Sequence, residues 1–250
     1  MVMLPFTLRR HLKWPNWNKR QWLRNLLVAG VLFFVLYELS LVARVFWYQH
    51  FNPSSSAFMR AAIKDLRRDD PTASIVHQWV DYTDISPNLV RAVIASEDAN
   101  FLQHNGVEWD AIRDAWAYNR AQADQGSSRR RGGSTITQQL AKNLFLSPKR
   151  SYARKAQELF LAYLIELVMS KERIIELYLN VAQWGQRHFG AEAAAQRYFQ
   201  RSAANLGPQQ AAQLAVMLPN PRYYDTHGVT PYLRQRTQTI AQRMRLVSAP

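Results

Sequence analysis

The sequence has no cysteine among its 250 residues and no acidic residue before Glu38. Without cysteine the chain can have no disulfide framework, no thiolate zinc site and no cysteine nucleophile. Hydrophobic residues make up 48% of the chain, which is enough for a packed core and excludes global disorder. The length suits one sizeable domain with an appendage.

Acidic residues are outnumbered throughout: 18 Asp and Glu stand against 32 Lys and Arg, for a net charge of +14. Such a balance favours anionic partners, namely nucleic acid, anionic lipid or a phosphorylated substrate. The basic residues concentrate before residue 25 and in 126–157, where eight Lys and Arg occur without any Asp or Glu. Because the sequence has no P-loop and no specific nucleic-acid-binding motif, we expect no nucleic-acid partner.

One long hydrophobic run, residues 26–42, lies near the N-terminus. With its flanks it approaches the ~20 residues needed to cross a bilayer, so we predict a transmembrane helix over 26–48. The alternative is a buried core helix, and Glu38 would be costly inside a bilayer. Under the positive-inside rule the basic segment 1–25 is cytoplasmic and the rest of the chain lies outside.

Helical patterns dominate after this run. The sequence NPSSS at 52–56 is typical of a linker, and we place the linker at 49–64 and one globular domain at 65–246. Residues 74–82 are β-like but short. The predicted helices cover 58–68, 88–100, 109–123, 135–146, 152–169, 171–180, 190–199, 208–218 and 231–246. The predicted fold class is therefore mainly α.

A carboxylate ends the apolar face of one predicted helix. Val93 and Ile94 lie four and three residues before Glu97, which places all three on one side of the helix. Burial there would raise the pKa of Glu97 and suit it to act as a general base or acid. The alternative is a helix-end glutamate that pairs with an arginine. Asp98 would point elsewhere and fix a neighbouring backbone or cation.

The most basic stretch, RRRGGSTITQQLAKNLFLSPKRSYARKAQE, has the features of an anion site. Gly132 and Gly133 allow the backbone to approach a ligand closely, and Ser134 or Thr135 can cap a helix whose N-terminus attracts phosphate. Glu158, beside two cations, would be ionised and have an electrostatic or metal-linked role. The alternatives are a surface ion pair for Glu158 and a solvated or nucleic-acid-binding loop for the arginines. The residues predicted to grip a pyrophosphate are Ser134, Gln138, Lys142, Arg150, Arg154 and Lys155.

Five blocks of sequence resemble the peptidoglycan glycosyltransferases, specifically the monofunctional biosynthetic transglycosylases of glycosyltransferase family 51. They are EDANFLQHNG (97–106), GGSTITQQLAKN (132–143), RKAQE (154–158), KERIIELYLN (171–180) and the block 184–199 with GAEAAAQRYF. They occur in the order found in the family and cover about 65–220. The resemblance implies a mainly α, lysozyme-like domain with a small jaw lobe, preceded by one transmembrane helix.

The resemblance also implies the reaction. The substrates would be lipid II and the growing glycan, both linked to undecaprenyl pyrophosphate. Glu97 would deprotonate the acceptor 4-hydroxyl, which displaces undecaprenyl pyrophosphate with inversion from α to β. Glu158 would be the second essential glutamate, near the pyrophosphate or its metal ion. The phosphate-contacting set would be Ser134, Gln138, Lys142, Arg150 and Lys155, supported by Asp98, Phe101, Thr135 and Arg154.

Members of this family often use a divalent cation such as Mg²⁺ or Mn²⁺, although no ligand cluster is legible in the sequence. The resemblance implies the bacterial inner membrane, with the catalytic domain periplasmic or extracellular, and protein partners in wall synthesis or division. The motifs SxxK, SDN and KTG are absent, so we expect no transpeptidase domain.

Two other functions fit parts of the sequence. A lysozyme-like glycan hydrolase would share the fold and a catalytic glutamate, but hydrolysis needs no pyrophosphate site. A non-enzymatic basic membrane scaffold would not depend on Glu97. A separate question concerns Trp109, Ile112 and Trp116, which share a helical face that either contacts the membrane or packs in the core.

Overall fold

The computed structural model describes residues 18–128, 130–149 and 151–250. Most of the predicted cytoplasmic segment 1–25, and the predicted phosphate ligand Arg150, lie outside these residues. The chain divides into two compact units, one ending at Leu41 and the other formed by Val42–Pro250. The catalytic prediction concerns the second unit.

The first helix, α1 (Lys19–Tyr48), has 30 residues. At 1.5 Å per residue it is about 45 Å long, more than a bilayer core requires. It is long and apolar enough to cross a membrane, and only 6% of its apolar window is buried inside the protein. The low burial argues against the alternative of a core helix. The predicted transmembrane segment 26–48 lies within α1.

The last residues of α1 and the residues that follow it are packed rather than free. Val45 is buried, and the ring of Tyr48 stacks on Phe145 with 5.8 Å between centroids. Arg173 donates two hydrogen bonds of 3.0 Å, from Nε to the Tyr48 carbonyl and from Nη2 to the Phe51 carbonyl. Residues 49–51 therefore belong to the folded second unit.

The second helix, α2 (Ala57–Asp69), begins inside the predicted linker 49–64. Ser56 caps it, because its hydroxyl accepts from the backbone N–H of Met59. Met59 and Ala62 are buried. The domain boundary predicted at residue 65 thus falls within a helix that packs against the later helix Ile136–Phe145.

The rest of the described chain is also mainly helical, as predicted. The helices are α3 (Pro87–Glu97), α4 (Trp109–Asp124), α5 (Ile136–Phe145), α6 (Tyr152–Val168), α7 (Lys171–Val181), α8 (Ala191–Phe199), α9 (Pro208–Met217), α10 (Pro221–His227) and α11 (Pro231–Arg243). Two 3₁₀ turns cover Tyr82–Asp84 and Ala203–Asn205, and a parallel pair of two-residue strands joins β1 (Val76–His77) to β2 (His188–Phe189).

Two groups of helices position the site. Helix α3 packs against α9 and α11, and α5 packs against α2, α6 and α7. Trp184, Tyr178, Phe101 and Phe189 are the largest side chains buried between the elements. The result is that the end of α3 and the start of α5, the two predicted site regions, meet in the interior.

The α-helix that the sequence did not predict is α10. It has seven residues between prolines, which is too short for a helical repeat of apolar residues to be visible. Helix α3 begins with the predicted Ser86–Pro87 cap but ends at Glu97, three residues before the predicted end. Its C-cap is Asp98, whose extended φ of −162° stops the helix.

Candidate active site

Glu97 is the last residue of α3 and is half-buried. Burial raises the pKa of Glu97, as the sequence predicted, and the Asp98 charge acts in the same direction. A 2.9 Å hydrogen bond from Gln139 Nε2 to Glu97 Oε2 opposes this rise, as do the charges of Lys142 and Arg236. This carboxyl group has the environment that a general base requires.

Asp98 points away from Glu97 and joins α3 to α5. Its Oδ2 accepts a 2.9 Å hydrogen bond from the backbone N–H of Ile136, the first residue of α5. His104 Nε2 lies 2.9 Å from Asp98 Oδ1. Because the Gly106 N–H donates to His104 Nδ1, the proton of the ring is on Nε2 and is donated to Asp98. The prediction that Asp98 fixes a neighbouring backbone is confirmed.

Thr135 caps α5 and also holds the preceding loop. Its hydroxyl donates to the Gly106 carbonyl over 2.6 Å and accepts from the Gln138 N–H over 3.1 Å. With Ile136 bound to Asp98, two N–H groups at this helix end are already used inside the protein. These two N–H groups are therefore not available to a phosphate at the N-terminus of α5.

Gln138 does not face Glu97. It is fully buried, and its Oε1 accepts from the Thr135 N–H over 2.9 Å in a capping box. The sequence argument put Ser134, Gln138 and Lys142 on one helical face, but α5 begins only at Ile136. The residue that reaches Glu97 is the neighbouring Gln139, which the prediction missed. Its spacing of three from Lys142 was the signal that could have found it.

Phe101 supports the loop between α3 and α4. It is fully buried, with its ring edge against His104, and Lys171 Nζ lies 4.5 Å from its ring centroid. Lys171 also donates to the His104 carbonyl over 2.7 Å and to Glu166 over 2.8 Å. Phe101 is thus a supporting residue that holds the loop after Glu97.

Glu158 lies on α6 and is 3% exposed. Arg154 Nη1 donates to its Oε2 over 2.7 Å, and Lys155 Nζ donates to its Oε1. The predicted pairing with both cations is confirmed, and the burial of the carboxylate excludes the alternative of a surface ion pair. Lys155 also reaches the exposed Ser134 hydroxyl at 3.3 Å. Among the described residues, the buried Nε of Arg154 has no hydrogen-bond partner, which leaves a donor for an anion.

The charge of Lys142 interacts with both carboxylates. Burial has the largest effect and lowers the pKa of Lys142. The negative charges of Glu158 and Glu97 raise this pKa, and the positive charges of Arg154 and Lys155 lower it. The side chain passes over Phe58, with Nζ 5.4 Å from the ring centroid. Since Lys142 is within electrostatic range of Glu97 and of Glu158, the two predicted constellations form one site.

Two features of this site have no counterpart in the sequence analysis. The positive charge of Arg236 on α11 lowers the pKa of Glu97, because α11 packs against α3. No sequence motif identified Arg236. The other is the role of Gly133. A Cβ there would lie 2.8 Å from the Ala111 carbonyl oxygen and 3.0 Å from Ile112 Cα, whereas Gly132 is open. Gly133 therefore permits close contact with α4.

The two glycines give a paired prediction. Gly133→Ala should destabilise the protein by about 1–3 kcal/mol, because the added methyl meets rigid backbone. Gly132→Ala should change the free energy of unfolding by less than about 0.5 kcal/mol, since nothing lies within 4 Å of its Cβ position. Thermal unfolding of both variants checks this, and equal melting temperatures would contradict the packing role of Gly133.

One group of side chains has a spacing compatible with a divalent cation. Ligand atoms of Asp98, His104 and Glu108 lie within 4.8 Å of one another. Both ring nitrogens of His104 are already hydrogen-bonded, and Glu108 accepts from Asn100. The hydrogen bonds account for the cluster, and a cation there would have to replace the bond between His104 and Asp98. Glu158 fits a cation no better, because both its oxygens are paired with Arg154 and Lys155.

Comparison with known proteins agrees with this geometry. The model of a family described as Transglycosylase matches residues 60–245. The chain is 60% identical over 234 residues to the biosynthetic peptidoglycan transglycosylase of Bordetella avium (strain 197N), covering 92% of this chain and 98% of the relative. It is 57% identical over 239 residues to the protein of that name from Bordetella pertussis, with coverage of 94% and 99%.

A more distant relative, the biosynthetic peptidoglycan transglycosylase of Janthinobacterium sp. (strain Marseille), is 51% identical over 225 residues, or 90% of this chain and 96% of the relative. The family match covers α3, α5 and α6, and so includes Glu97, Lys142 and Glu158. The family model matches about three quarters of the chain, and the two Bordetella relatives align with more than nine tenths of it. The chain therefore belongs to the transglycosylase family.

Proposed function

We propose that this enzyme is a peptidoglycan glycosyltransferase that polymerises lipid II into glycan strands and releases undecaprenyl pyrophosphate. The observation that carries the proposal is that both carboxylates are tied to the same short segment of chain: Gln139 donates to Glu97, and Lys155, which is paired with Glu158, donates to Ser134. Glu97, with a raised pKa, serves proton transfer, and Glu158, between two cations, organises positive charge. Different environments give the two carboxylates different roles.

Glu97 acts as the base. It removes the proton from the 4-hydroxyl of the acceptor lipid II as that oxygen attacks the anomeric carbon of the growing chain. The bond from this carbon to the pyrophosphate oxygen breaks, and the electron pair leaves with the pyrophosphate. Attack from the opposite side turns the α linkage into a β linkage.

The cations stabilise the leaving group. Arg154 and Lys155 are held in place by Glu158, and Lys155 brings Ser134 into the same cluster. With Lys142 they present positive charge and N–H donors where negative charge develops on the pyrophosphate. Gln139 is added to the proposed site as the residue that contacts Glu97, and the phosphate contact of Gln138 stays a prediction. Arg150, implied by the family resemblance, stays a prediction.

The same cluster argues against the glycan hydrolase. A hydrolase releases no pyrophosphate, so three cations around a buried glutamate would serve no purpose in it. The purified protein should convert lipid II to polymer in detergent and should leave preformed glycan intact. Release of shorter fragments from preformed glycan, without polymerisation of lipid II, would refute the proposal.

The membrane placement is part of the proposal. The described residues include one helix that can span a bilayer, and basic residues precede it in the sequence. This arrangement suits a bacterial inner-membrane protein with a cytoplasmic N-terminus and an external catalytic domain. The divalent cation implied by the family resemblance, Mg²⁺ or Mn²⁺, stays a prediction, and no step of the proposed reaction depends on it. Proteins of wall synthesis or division are the expected partners.

The aromatic face of α4 is a further candidate for membrane contact. Trp109 is 53% exposed and Trp116 is 66% exposed, which excludes the alternative of core packing. Trp109 Nε1 donates to the hydroxyl of Tyr163 on α6 over 2.9 Å. Since indole rings favour the interface of a bilayer, we propose that this face touches the lipid surface.

Because the protein has no cysteine, a single label can test this contact in the full chain. Trp116→Cys, carrying an environment-sensitive fluorophore in proteoliposomes, should be quenched by lipid-borne nitroxide. The control is Tyr232→Cys, at a position with a similar exposure of 63% on α11. Equal quenching at the two positions would refute a specific contact by α4.

A further inference from the structure

Tyr178 is a buried tyrosine on α7 whose hydroxyl reaches α5. Its side chain is 1% exposed, and the hydroxyl donates to Gln139 Oε1 over 3.1 Å. Gln139 in turn donates from Nε2 to Glu97 Oε2 over 2.9 Å. Two consecutive hydrogen bonds therefore connect the packed interior between α5 and α7 to the carboxylate at the end of α3.

The direction of these bonds matters. An amide has a donating end and an accepting end, and an ionised carboxylate can only accept. If the amide of Gln139 were turned over, its oxygen would face the oxygens of Glu97. Tyr178 favours the observed orientation, because its O–H donates to the amide oxygen and leaves the NH₂ group to face Glu97. Burial, with the charges of Glu97 and Asp98, raises the pKa of Tyr178 well above its usual value, so the hydroxyl keeps the proton it donates.

The arrangement also selects one oxygen of Glu97. Oε2 is held by Gln139, whereas Oε1 has no hydrogen-bond donor among the residues that the structure describes. A base has to be held in one geometry while it takes a proton, and small displacements from that geometry cost rate. Oε1 is therefore the atom free to meet the acceptor hydroxyl.

We propose that Tyr178 is a positioning residue for the transglycosylation: it orients the amide of Gln139, which then holds Glu97 with one oxygen toward the substrate. The inference rests on the proposed function, in which Glu97 is the base. Tyr178 itself touches no substrate and acts only through Gln139.

The test is a double-mutant cycle on the full-length protein, with lipid II polymerisation in detergent as the assay. Tyr178→Phe keeps the ring and removes the donor, so kcat should fall about three- to tenfold while KM changes less than about twofold. In the Gln139→Leu background the same substitution should change kcat less than about twofold, because the group it orients is gone. A merely structural tyrosine would show the same loss in both backgrounds.

Tyr198→Phe is the matched control. The Tyr198 hydroxyl also donates a hydrogen bond, to the Trp184 carbonyl over 2.6 Å. Asp225 Oδ1 lies 3.3 Å from the same hydroxyl. Its loss should leave kcat within about twofold of the wild type. Gln139→Glu gives a second measurement: it keeps an acceptor for Tyr178 but removes the donor to Glu97, and should lower kcat at least as much as Tyr178→Phe.

Wild-type kcat in Tyr178→Phe or in Gln139→Glu, or equal losses in the two backgrounds of the cycle, would overturn the role of Tyr178. Glu97→Gln is assayed in parallel to separate this from the proposed function. If Glu97→Gln is inactive while Tyr178→Phe is normal, only the positioning role is wrong. If Glu97→Gln keeps its rate, the assignment of the base is wrong.

Discussion

Replacing Glu97 by Gln should lower the rate of lipid II polymerisation about 10²- to 10⁴-fold, the range that general base catalysis contributes. The amide is close in size to the carboxylate and can still accept the hydrogen bond from Gln139. It cannot take a proton, so the chemical step should be lost while the fold is kept. Polymer formation by the purified protein in detergent, with its melting temperature measured alongside, checks both expectations.

Glu192→Gln is the control for a buried glutamate. Glu192 on α8 accepts from the Ala203 N–H over 2.7 Å and lies among different elements. Its replacement should leave the rate of the folded protein within about threefold of the wild type. Comparable losses in the two variants would show that Glu97 matters for folding and not as a base.

The pH dependence of the wild-type rate tests the same assignment, that Glu97 is the base. Glu97 must be ionised to act as a base, and burial raises the pKa of this carboxyl group. The rate should therefore fall as the pH is lowered through that raised pKa, above the usual range of a glutamate. The residual rate of Glu97→Gln should lack this acid limb. A wild-type profile that stays flat down to the ordinary pKa of a glutamate would contradict the role of Glu97.

Replacing Glu158 by Gln should lower the rate about 10²-fold or more and also lower the melting temperature. The carboxylate is buried, and it is the shared partner of Arg154 and Lys155. Without its charge the two cations repel each other, and their positions relative to the pyrophosphate are lost. The rate and the melting temperature are measured as for Glu97.

Glu176→Gln controls for the loss of an ion pair as such. Glu176 pairs with Arg173 at 2.8 Å on α7, and both side chains are largely buried. Its replacement should lower the melting temperature but leave the rate of the folded protein nearly unchanged. If Glu158→Gln lost only stability and kept its rate, the proposed role in organising the leaving-group site would be refuted.

The sequence was sufficient for those parts of the site that depend on local spacing. Glu97 was correctly placed at the apolar end of α3, because Val93 and Ile94 fix the buried face of that helix. The pairing of Glu158 with Arg154 and Lys155 follows from separations of four and three within one helix. The mainly α fold follows from the same periodicity.

The parts that the sequence missed depend on side-chain orientation or on distant contacts. Gln139 was not singled out, because the sequence does not show which residue of α5 reaches Glu97 on α3. The contact between Gly133 and Ala111 was not predicted, because the two residues are 22 positions apart in the chain. Arg236 could not be found at all, because only the packing of α11 on α3 brings it near Glu97.

The two hydrogen bonds from Arg173 to the carbonyls of Tyr48 and Phe51 bear on how soluble versions of this enzyme should be designed. A truncation after residue 51 would discard the aromatic ring that covers Phe145, the last residue of the helix that carries Gln139 and Lys142. Kinetics from such a fragment would mix the effect of losing the lipid bilayer with that of a loosened active-site helix. Truncation immediately before Val42 retains this segment, and with it the packing of Tyr48 on Phe145.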